Sequence, residues 1–233
     1  NDPNLKKITI GRYNCEQSRY LPPDGDWERD GKGIGSNLHI KELRFADNTF
    51  DKDVRRGDVE AFCEGLASNK SIERLKIDQC EQFGGEMLNI ISPLLEQNPN
   101  LLCLSVRGDF ANIGSGALYS PSDASLSHQQ RKDFANSVRW DFARRLSELL
   151  SRFNTLRELD CGGLHLRNND TARIVRALAG HSGMTKVNLN SNEIRERGGM
   201  MALTALLSNQ NCFLKDLQLV CCSLNDEGAD LFA

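Results

Sequence analysis

Four acidic residues at alternating positions form the pattern in this sequence that most resembles a metal-binding loop. They are Asp24, Asp26, Glu28 and Asp30. Carboxylates at this spacing suit Ca²⁺, but a calcium loop also needs a glycine at its sixth position and a bidentate glutamate at its twelfth. Arg29 and Gly35 stand at those two positions instead. The acidic series therefore predicts no calcium site.

The other residues that could support chemistry also lack the partners that they would need. Cys161 and His165 are close in sequence, but no second pair joins them to complete a zinc site. Gly31, Gly33 and Gly35 do not follow a predicted strand, as the glycines of a dinucleotide-binding turn do. No Ser/His/Asp or Cys/His set falls on neighbouring predicted strands, where a base could activate a nucleophile. The sequence thus predicts no enzyme, no metal and no cofactor.

The feature that organises the whole chain is a repeated apolar phrase. An apolar residue is followed by apolar residues three and five positions later, and usually by Asn, Cys or Asp three positions further on. The clear copies are Ile40-Leu43-Phe45-Asn48, Ile72-Leu75-Ile77-Cys80, Leu101-Leu104-Val106-Asp109, Met184-Val187-Leu189-Asn192 and Leu214-Leu217-Leu219-Cys222. The looser copies are Leu5-Ile8-Ile10 and Leu156-Leu159-Cys161-Leu164. One such unit cannot bury its own apolar face, so the units are expected to stack.

The polar residue that ends each phrase predicts a column of side chains inside the stack. The alternation before it predicts a short strand with one buried face, and the polar residue falls where the chain turns away from that strand. There it can bond the unpaired backbone of neighbouring turns. We call this the strand-end column and expect it to contain Asn48, Cys80, Asp109, Asn192 and Cys222. Leu164 interrupts it, so we expect Asn168 or Asn169, or water, to take over some of its bonding there.

The period of the phrase indicates what lies between the strands. The copies recur about every 28–30 residues, which leaves room for a helix of about ten residues after each strand. The residues from Val59 to Leu66 show the apolar face of such a helix. Phrase and period resemble the ribonuclease-inhibitor-like class of leucine-rich repeats, in which a full helix follows each strand. The resemblance implies an α/β fold, a right-handed leucine-rich-repeat solenoid (horseshoe) with a parallel concave sheet and convex helices.

We expect a single domain that spans residues 1–233 and contains about seven repeats. Two steps between repeats are longer than the others, which predicts insertions near 14–26 and 108–127 on one edge of the stack. The sequence starts directly in the first repeat and stops inside the last, so we interpret it as a fragment of a longer protein. Uncapped ends would then expose apolar surface and favour self-association.

Composition restricts the classes of partner and the compartment. Apolar residues make up 39% of the chain, charged residues 26%, and the net charge is −3. This balance does not favour a nucleic-acid or membrane partner, and no apolar run approaches the roughly 18 residues of a spanning helix. Eight cysteines could pair in a secreted protein. However, Cys80, Cys161 and Cys222 occupy predicted core positions of separate repeats, which favours free thiols and a cytoplasmic or nuclear location.

The remaining functional signal is the surface of the predicted sheet. Side chains between the core residues point away from the helices, and they run from basic in the first half of the chain to neutral or acidic in the second. We predict that this face and the inserted edge bind a protein partner through Arg44, Arg74, Lys76, Arg107, Tyr119, Trp140, Asp160, Asn188 and Gln218. The chain would then be a protein–protein interaction scaffold. The alternatives are a solvated face without a partner and, by resemblance, a regulator of another enzyme, like nuclease inhibitors or GTPase-activating proteins.

Trp140 enters this prediction for a separate reason. The sequence predicts a long helix whose buried stripe contains Phe134, Val138, Phe142 and Leu146. Trp140 falls on the opposite side of that helix, where a polar residue is expected. A large aromatic side chain there suggests cover by the 108–127 insertion or by a partner, and the alternative is a lone exposed Trp.

Overall fold

The structure, a computed structural model, describes residues 4–11, 18–19, 26–46, 56–78, 85–108, 127–195 and 197–224. Within these ranges strands and helices alternate. The strands are β1 (Lys7–Gly11), β2 (Ser18–Arg19), β3 (Glu42–Ala46), β4 (Arg74–Asp78), β5 (Cys103–Arg107), β6 (Glu158–Asp160), β7 (Lys186–Asn188) and β8 (Asp216–Gln218). The helices are α1 (Trp27–Gly35), α2 (Arg56–Leu66), α3 (Gly85–Gln97), α4 (His128–Arg152), α5 (Asn168–Ala179) and α6 (Arg197–Leu207).

The strands form one parallel sheet whose order is β2-β1-β3-β4-β5-β6-β7-β8. From β3 to β8 each strand pairs with the next strand along the chain, and helices that follow one another in the chain pack side by side. This is the arrangement of a solenoid-like α/β fold with a parallel sheet, as the repeats predicted. The right-handed horseshoe shape and the ribonuclease-inhibitor-like class stay predictions.

The sheet contains one strand that the repeats did not predict. Strand β2 lies inside the first predicted insertion and pairs with β1 through Thr9 with Ser18 and Ile10 with Arg19. It extends the sheet at the edge next to β1, so part of the region interpreted as a loop is a strand. Two residues carry too short a pattern to be recognised. Apart from residues 18–19 and Asp26, the first insertion lies outside the described residues, as do residues 109–126 of the second.

The core follows from the alternation along each strand. Leu43 and Phe45 of β3 are fully buried, and Leu75 and Ile77 of β4 lie beside them in register. Helix residues such as Phe62 cover this layer from one side. Burying each of these side chains stabilises the fold by about 2 kcal/mol before the entropy cost of ordering them. The side chains in between face away from the helices, and we call that side of the sheet the open face.

Helices α1 and α2 approach each other very closely. A Cβ atom added to Gly31 would lie 2.3 Å from the carbonyl oxygen of Phe62, and one added to Gly65 would lie 2.6 Å from the backbone nitrogen of Lys32. Only glycine permits this contact between backbones. Trp27 packs edge-on against Phe62, with ring centroids 5.8 Å apart.

Two members of the strand-end column can be described, and both behave as predicted. The Asn192 side chain donates from Nδ2 to the carbonyl oxygens of Cys161 (2.9 Å) and Leu189 (3.0 Å), and its Oδ1 accepts from the Leu166 backbone at 2.9 Å. The buried thiol of Cys222 donates to Leu189 O at 3.2 Å. Asn48, Cys80 and Asp109 lie outside the described residues.

At the interruption, Leu164 is fully buried as an apolar core residue. Part of the bonding at this position comes from the following unit, which our expectation did not include. The side chain of Asn192, in the following unit, donates to Cys161 O and accepts from Leu166 N on the two sides of this turn. The backbone nitrogen of Gly163 donates to Asn190 O at 2.8 Å. Asn169 is exposed, so the neighbouring repeat, rather than that side chain, supplies these bonds.

A second column of amides stands at the turns that lead into the strands, and we call it the strand-start column. Its asparagines are Asn37, Asn69, Asn98 and Asn209. Asn69 is fully buried and donates to Ile34 O (3.0 Å) and Asn37 O (2.8 Å) of the preceding unit, while its Oδ1 accepts from Ser71 N and Ile72 N. Asn69, Asn98 and Asn209 each bond their unit to the unit before it, whereas Asn37 accepts from the backbone of its own turn.

The prediction for helix α4 needs one correction. Phe142 and Leu146 are buried as expected, but Phe134 is 49% exposed. Among the helix residues whose burial the structure describes, the first buried one is Ala135. Helix α4 has 25 residues, whereas the neighbouring α3 and α5 have 13 and 12, so its first turns extend past the layer that covers the rest. The apolar period is the same in covered and uncovered turns, and sequence alone does not separate them.

The described cysteines support the thiol prediction. All six are free; Cys63, Cys103, Cys161 and Cys222 are buried, Cys212 is half-buried and Cys221 is exposed. Burial raises the pKa of the Cys63 thiol to about 12, and nearby Glu60 and Glu64 act in the same direction. No helix among the described residues is long and apolar enough to cross a membrane.

Candidate functional site

The open face carries a cavity of about 450 Å³ over the middle of the sheet. Seven of the nine residues predicted to bind a partner line it together. They are Arg44, Arg74, Lys76, Arg107, Asp160, Asn188 and Gln218. The parallel register causes this, because equivalent positions of successive repeats lie side by side on adjacent strands. That these residues bind a partner stays a prediction.

The register arranges the first open-face position of each strand into a row of alternating charge. From β1 to β8 the row contains Lys7, Glu42, Arg74, Cys103, Glu158, Lys186 and Asp216. Ion pairs join Lys7 with Glu42 at 3.0 Å and Lys186 with Asp216 at 2.9 Å. Opposite charges side by side on adjacent strands stabilise the sheet, whereas like charges there destabilise it.

Further ion pairs run diagonally between different positions of adjacent strands. Arg44 Nε donates to Asp78 Oδ2 at 2.6 Å, and Lys76 lies 3.0 Å from Glu42. Arg107 donates to Asp160 Oδ2 from Nε at 3.0 Å and from Nη2 at 2.5 Å. The basic residues of the first half therefore have carboxylates of neighbouring strands beside them.

These contacts shift the pKa values of the groups involved. Partial burial alone would raise the pKa of Glu42, but the hydrogen bonds from Lys76 and Lys7 outweigh it and the pKa falls below its ordinary value. The hydrogen bond that Arg74 donates to Glu158 lowers the pKa of Glu158, and those that Arg107 donates to Asp160 raise the pKa of Arg107. The face is therefore fully ionised near neutral pH at these positions.

The cations of these pairs are more exposed than their carboxylate partners. The side chains of Arg44 and Asp78 are 43% and 19% exposed, and those of Arg107 and Asp160 are 56% and 21% exposed. Glu42, which serves more than one cation, is only 16% exposed. Asp78, Asp160 and Glu42 therefore lie low against the sheet, and the guanidinium and ammonium groups of their partners form the rim that an incoming molecule meets first.

The sequence did not indicate how deep the uncharged positions lie. Ser105 was predicted to face outward and does line the cavity, but it is only 5% exposed. Asn188 accepts a hydrogen bond from Asn190 N at 2.9 Å, and Gln218 donates weakly to Asp216 at 3.3 Å. Burial of Ser105 results from long side chains around it, which a strand pattern does not encode.

The other two predicted residues do not join the cavity. Trp140 lies on helix α4, 49% exposed, with the guanidinium carbons of Arg144 and Arg173 at 5.7 and 5.6 Å from its ring centroid. In contacts of this kind the electron-rich face of the ring attracts the cation. Tyr119 lies outside the described residues. Among the residues that the structure describes, no group of three or more His, Cys, Asp or Glu side chains could hold a metal ion.

Comparisons with known proteins add a set of structural similarities. No protein-family model matches the sequence, and no curated protein matches it. The solved structures that it resembles include a tropomodulin C-terminal domain from Caenorhabditis elegans, with a TM-score of 0.45 and 14% identity over 78% of this chain and 90% of that one. Actin-binding site 2 of leiomodin-1 has a TM-score of 0.37 and 17% identity, over 89% and 82% of the two chains. An internalin from Listeria monocytogenes has a TM-score of 0.34 and 12% identity, over 94% and 55%. At these values the similarity assigns neither a family nor a function to this chain.

Proposed function

We propose that this chain is a protein-binding scaffold that receives its partner on the open face of the sheet. The observation that carries the proposal is the cavity, because equivalent side chains of six consecutive strands, β3 to β8, converge on it. Ion pairs fix many of these side chains in place, so binding would cost little additional side-chain entropy. An extended polar surface held rigid by a repeat fold suits recognition of another protein.

The finer parts of the proposal concern shape and environment. We infer a right-handed, ribonuclease-inhibitor-like horseshoe in which the open face is concave and the 14–26 and 108–127 insertions contribute to its edge. The separate, buried free thiols support a cytoplasmic or nuclear location. The scaffold has no catalytic role in this proposal.

Self-association is a second candidate because large apolar side chains are exposed in the last units. They are Met201, Leu207, Phe213, Val220 and Leu224. Exposed apolar side chains grouped in neighbouring units favour contact with another protein surface. Sedimentation of the chain over a range of concentrations tests this candidate, and a monomer at every concentration overturns it.

Site-specific photo-crosslinking tests the scaffold proposal. A benzophenone amino acid is placed at Asn188 or Gln218 on the open face and, as matched controls, at Lys132 or Arg152 on helix α4. The labelled proteins are irradiated in an extract of the source organism, and the crosslinked proteins are identified by mass spectrometry. We expect one protein to be captured from both open-face positions and not from the helix positions. Capture from helix positions alone, or from none, overturns the proposal.

If the captured protein is an enzyme, its activity with and without this chain tests the narrower hypothesis of a regulator. Inhibition or stimulation that disappears with an open-face variant supports that hypothesis. Unchanged activity identifies a passive scaffold.

A further inference from the structure

We propose that the cavity on the open face binds an acidic peptide segment, whose carboxylate side chains lie over strands β3, β4 and β5. This inference rests on the proposed function, because it assumes that the open face meets a protein, and it adds the chemistry of the segment recognised.

The first support is the placement of three cations on three adjacent strands. Arg44 on β3, Lys76 on β4 and Arg107 on β5 all line the same cavity. Adjacent strands lie about 4.8 Å apart, so these strands span about 10 Å. An extended peptide with acidic residues at alternating positions places carboxylates about 7 Å apart on one side, which fits this span.

The second support is the sign of the charge inside the cavity. Five cationic side chains line it, from Arg44, Arg74, Lys76, Arg107 and Lys186. Three anionic side chains line it, from Asp78, Glu158 and Asp160. Glu42 and Asp216, which pair with Lys76 and Lys186, do not line the cavity. The surface that lines it therefore carries more cations than anions, although the whole chain has a net charge of −3. A local excess of one sign in a cleft attracts the opposite sign.

The third support is the number of donors that remain for a ligand. A guanidinium has five N–H groups. The hydrogen bond to Asp78 uses one of those on Arg44, and the hydrogen bonds to Asp160 use two of those on Arg107. The carboxylates of the pairs lie deeper than the cations, so the rim presents the donor side of each pair. Guanidinium groups that are already oriented bind carboxylates in paired hydrogen bonds.

An acidic peptide fits these observations better than a nucleic acid does. A polyphosphate would meet the net negative charge of the chain outside the cavity, and its affinity depends on many phosphate contacts along an extended basic surface. Here the cations are confined to one cavity and have carboxylates beside them. Asn188 and Gln218 at the other end of the cavity offer uncharged donors and acceptors for peptide groups.

Fluorescence anisotropy with a defined probe tests the inference. The probe is a short fluorescein-labelled peptide in which glutamate alternates with glycine, and the reference peptides carry glutamine or lysine in place of glutamate. We expect the glutamate peptide to bind at low salt, more weakly as salt increases, and the other two not to bind. Equal binding of the glutamine or lysine peptide overturns the inference. So does an oligonucleotide of equal charge that binds more tightly and displaces the probe.

Three variants separate recognition from a general loss of structure. Arg44→Gln removes a proposed contact and should weaken binding about fivefold or more, as expected for a lost charged hydrogen bond. Asp78→Asn removes the carboxylate beside Arg44 and should tighten binding. Arg29→Gln on helix α1 changes an exposed cation away from the cavity and should have no effect. If Arg44→Gln and Asp78→Asn both weaken binding, the role of these residues is structural and the inference fails.

The outcome can be told apart from that of the scaffold proposal. A partner that crosslinks to Asn188 and Gln218 but is not displaced by the glutamate peptide leaves the scaffold proposal standing and overturns the acidic-segment inference. Absence of any open-face crosslink overturns the scaffold proposal, whatever the peptide does.

Discussion

Arg74 and Glu158 form an ion pair at 2.7 Å although strand β5 lies between their two strands. The register places Cys103 between them, and that cysteine is only 3% exposed. A small side chain at this position lets the long arginine and glutamate reach each other above it. The ion pair therefore connects β4 directly with β6 on the open face, and the Cys103 thiol lies beneath it.

We expect Cys103 to react slowly with alkylating reagents in the native protein. Burial raises the pKa of its thiol to about 11, so at neutral pH only about one thiol in ten thousand is ionised, and the thiolate is the reactive form. Cys221, which is exposed, serves as the internal comparison. Labelling with iodoacetamide, followed by mass spectrometry of each site, should show Cys221 modified first. Modification of both at the same rate at neutral pH would contradict this prediction.

The free energy of unfolding should fall as the pH falls below about 4.5. Hydrogen bonding to Arg74 lowers the pKa of Glu158 below its ordinary value of 4.5, and hydrogen bonding to Lys186 lowers that of Asp216 below 3.8. A carboxylate with a lowered folded-state pKa stabilises the fold above its unfolded pKa, and this contribution is lost as the pH falls through the folded value. Asp170 acts with the opposite sign, because burial raises its pKa.

Urea unfolding at a series of pH values measures this dependence. Glu158→Gln should remove part of the slope below pH 4.5, since the neutral amide cannot gain a proton. An unchanged slope in that variant would show that the ion pair with Arg74 does not contribute to acid sensitivity.

Gly31→Ala should destabilise the protein by about 2 kcal/mol or more, because the new Cβ meets backbone atoms of Phe62 and the two helices must separate. Gly33 lies on the same helix and offers a matched control, since a Cβ there has nothing within 4 Å. Gly33→Ala should be neutral or stabilising by up to about 1 kcal/mol through helix propensity. Thermal and urea unfolding of both variants measures these two changes in stability. Equal effects would mean that α1 and α2 do not depend on close backbone contact.

Asn69→Ala should cost about 2–3 kcal/mol, because it leaves buried backbone groups of two units without their partners. Asn211→Ala is the control, since Asn211 is exposed and precedes an equivalent strand. It should change the free energy of unfolding by less than about 0.5 kcal/mol. Urea denaturation measures the free energy of unfolding of each variant. Similar costs would argue that water replaces the amide of Asn69.

The strands, helices and core were predictable because each unit repeats the same spacing of apolar residues. Leu43, Leu75 and Leu104 occupy equivalent positions and are all fully buried. The gathering of the polar residues at one cavity followed from the same spacing, since a parallel register aligns equivalent positions. The strand-start column was missed, although an Asn three residues before Ile40, Ile72 and Leu101 is a visible signal.

Which charged side chains pair with each other, and how exposed each side chain is, could not be predicted in the same way. Nothing in the sequence indicates that Arg74 pairs with Glu158 two strands away, because this depends on a small side chain at Cys103 and on the long rotamers of both partners. The exposure of Phe134 depends on where the neighbouring helices end. Such relationships arise between units, whereas a repeat pattern describes one unit at a time.

Phe153 occupies the strand-start column between Asn98 and His181, and a phenyl ring cannot bond the turn of the preceding unit. The carbonyl oxygen of Phe153 accepts a hydrogen bond from His181 Nε2 at 2.7 Å. Side-chain bonding of this column therefore joins the unit of His181 to that of Phe153. Among the described residues, charged pairs are prominent across the β5–β6 boundary, namely Arg74 with Glu158 and Arg107 with Asp160. High salt weakens such pairs, so the cooperativity of unfolding itself becomes salt-dependent. In concentrated salt the units before and after Phe153 should exchange their amide hydrogens as two separate blocks, and at low salt as one.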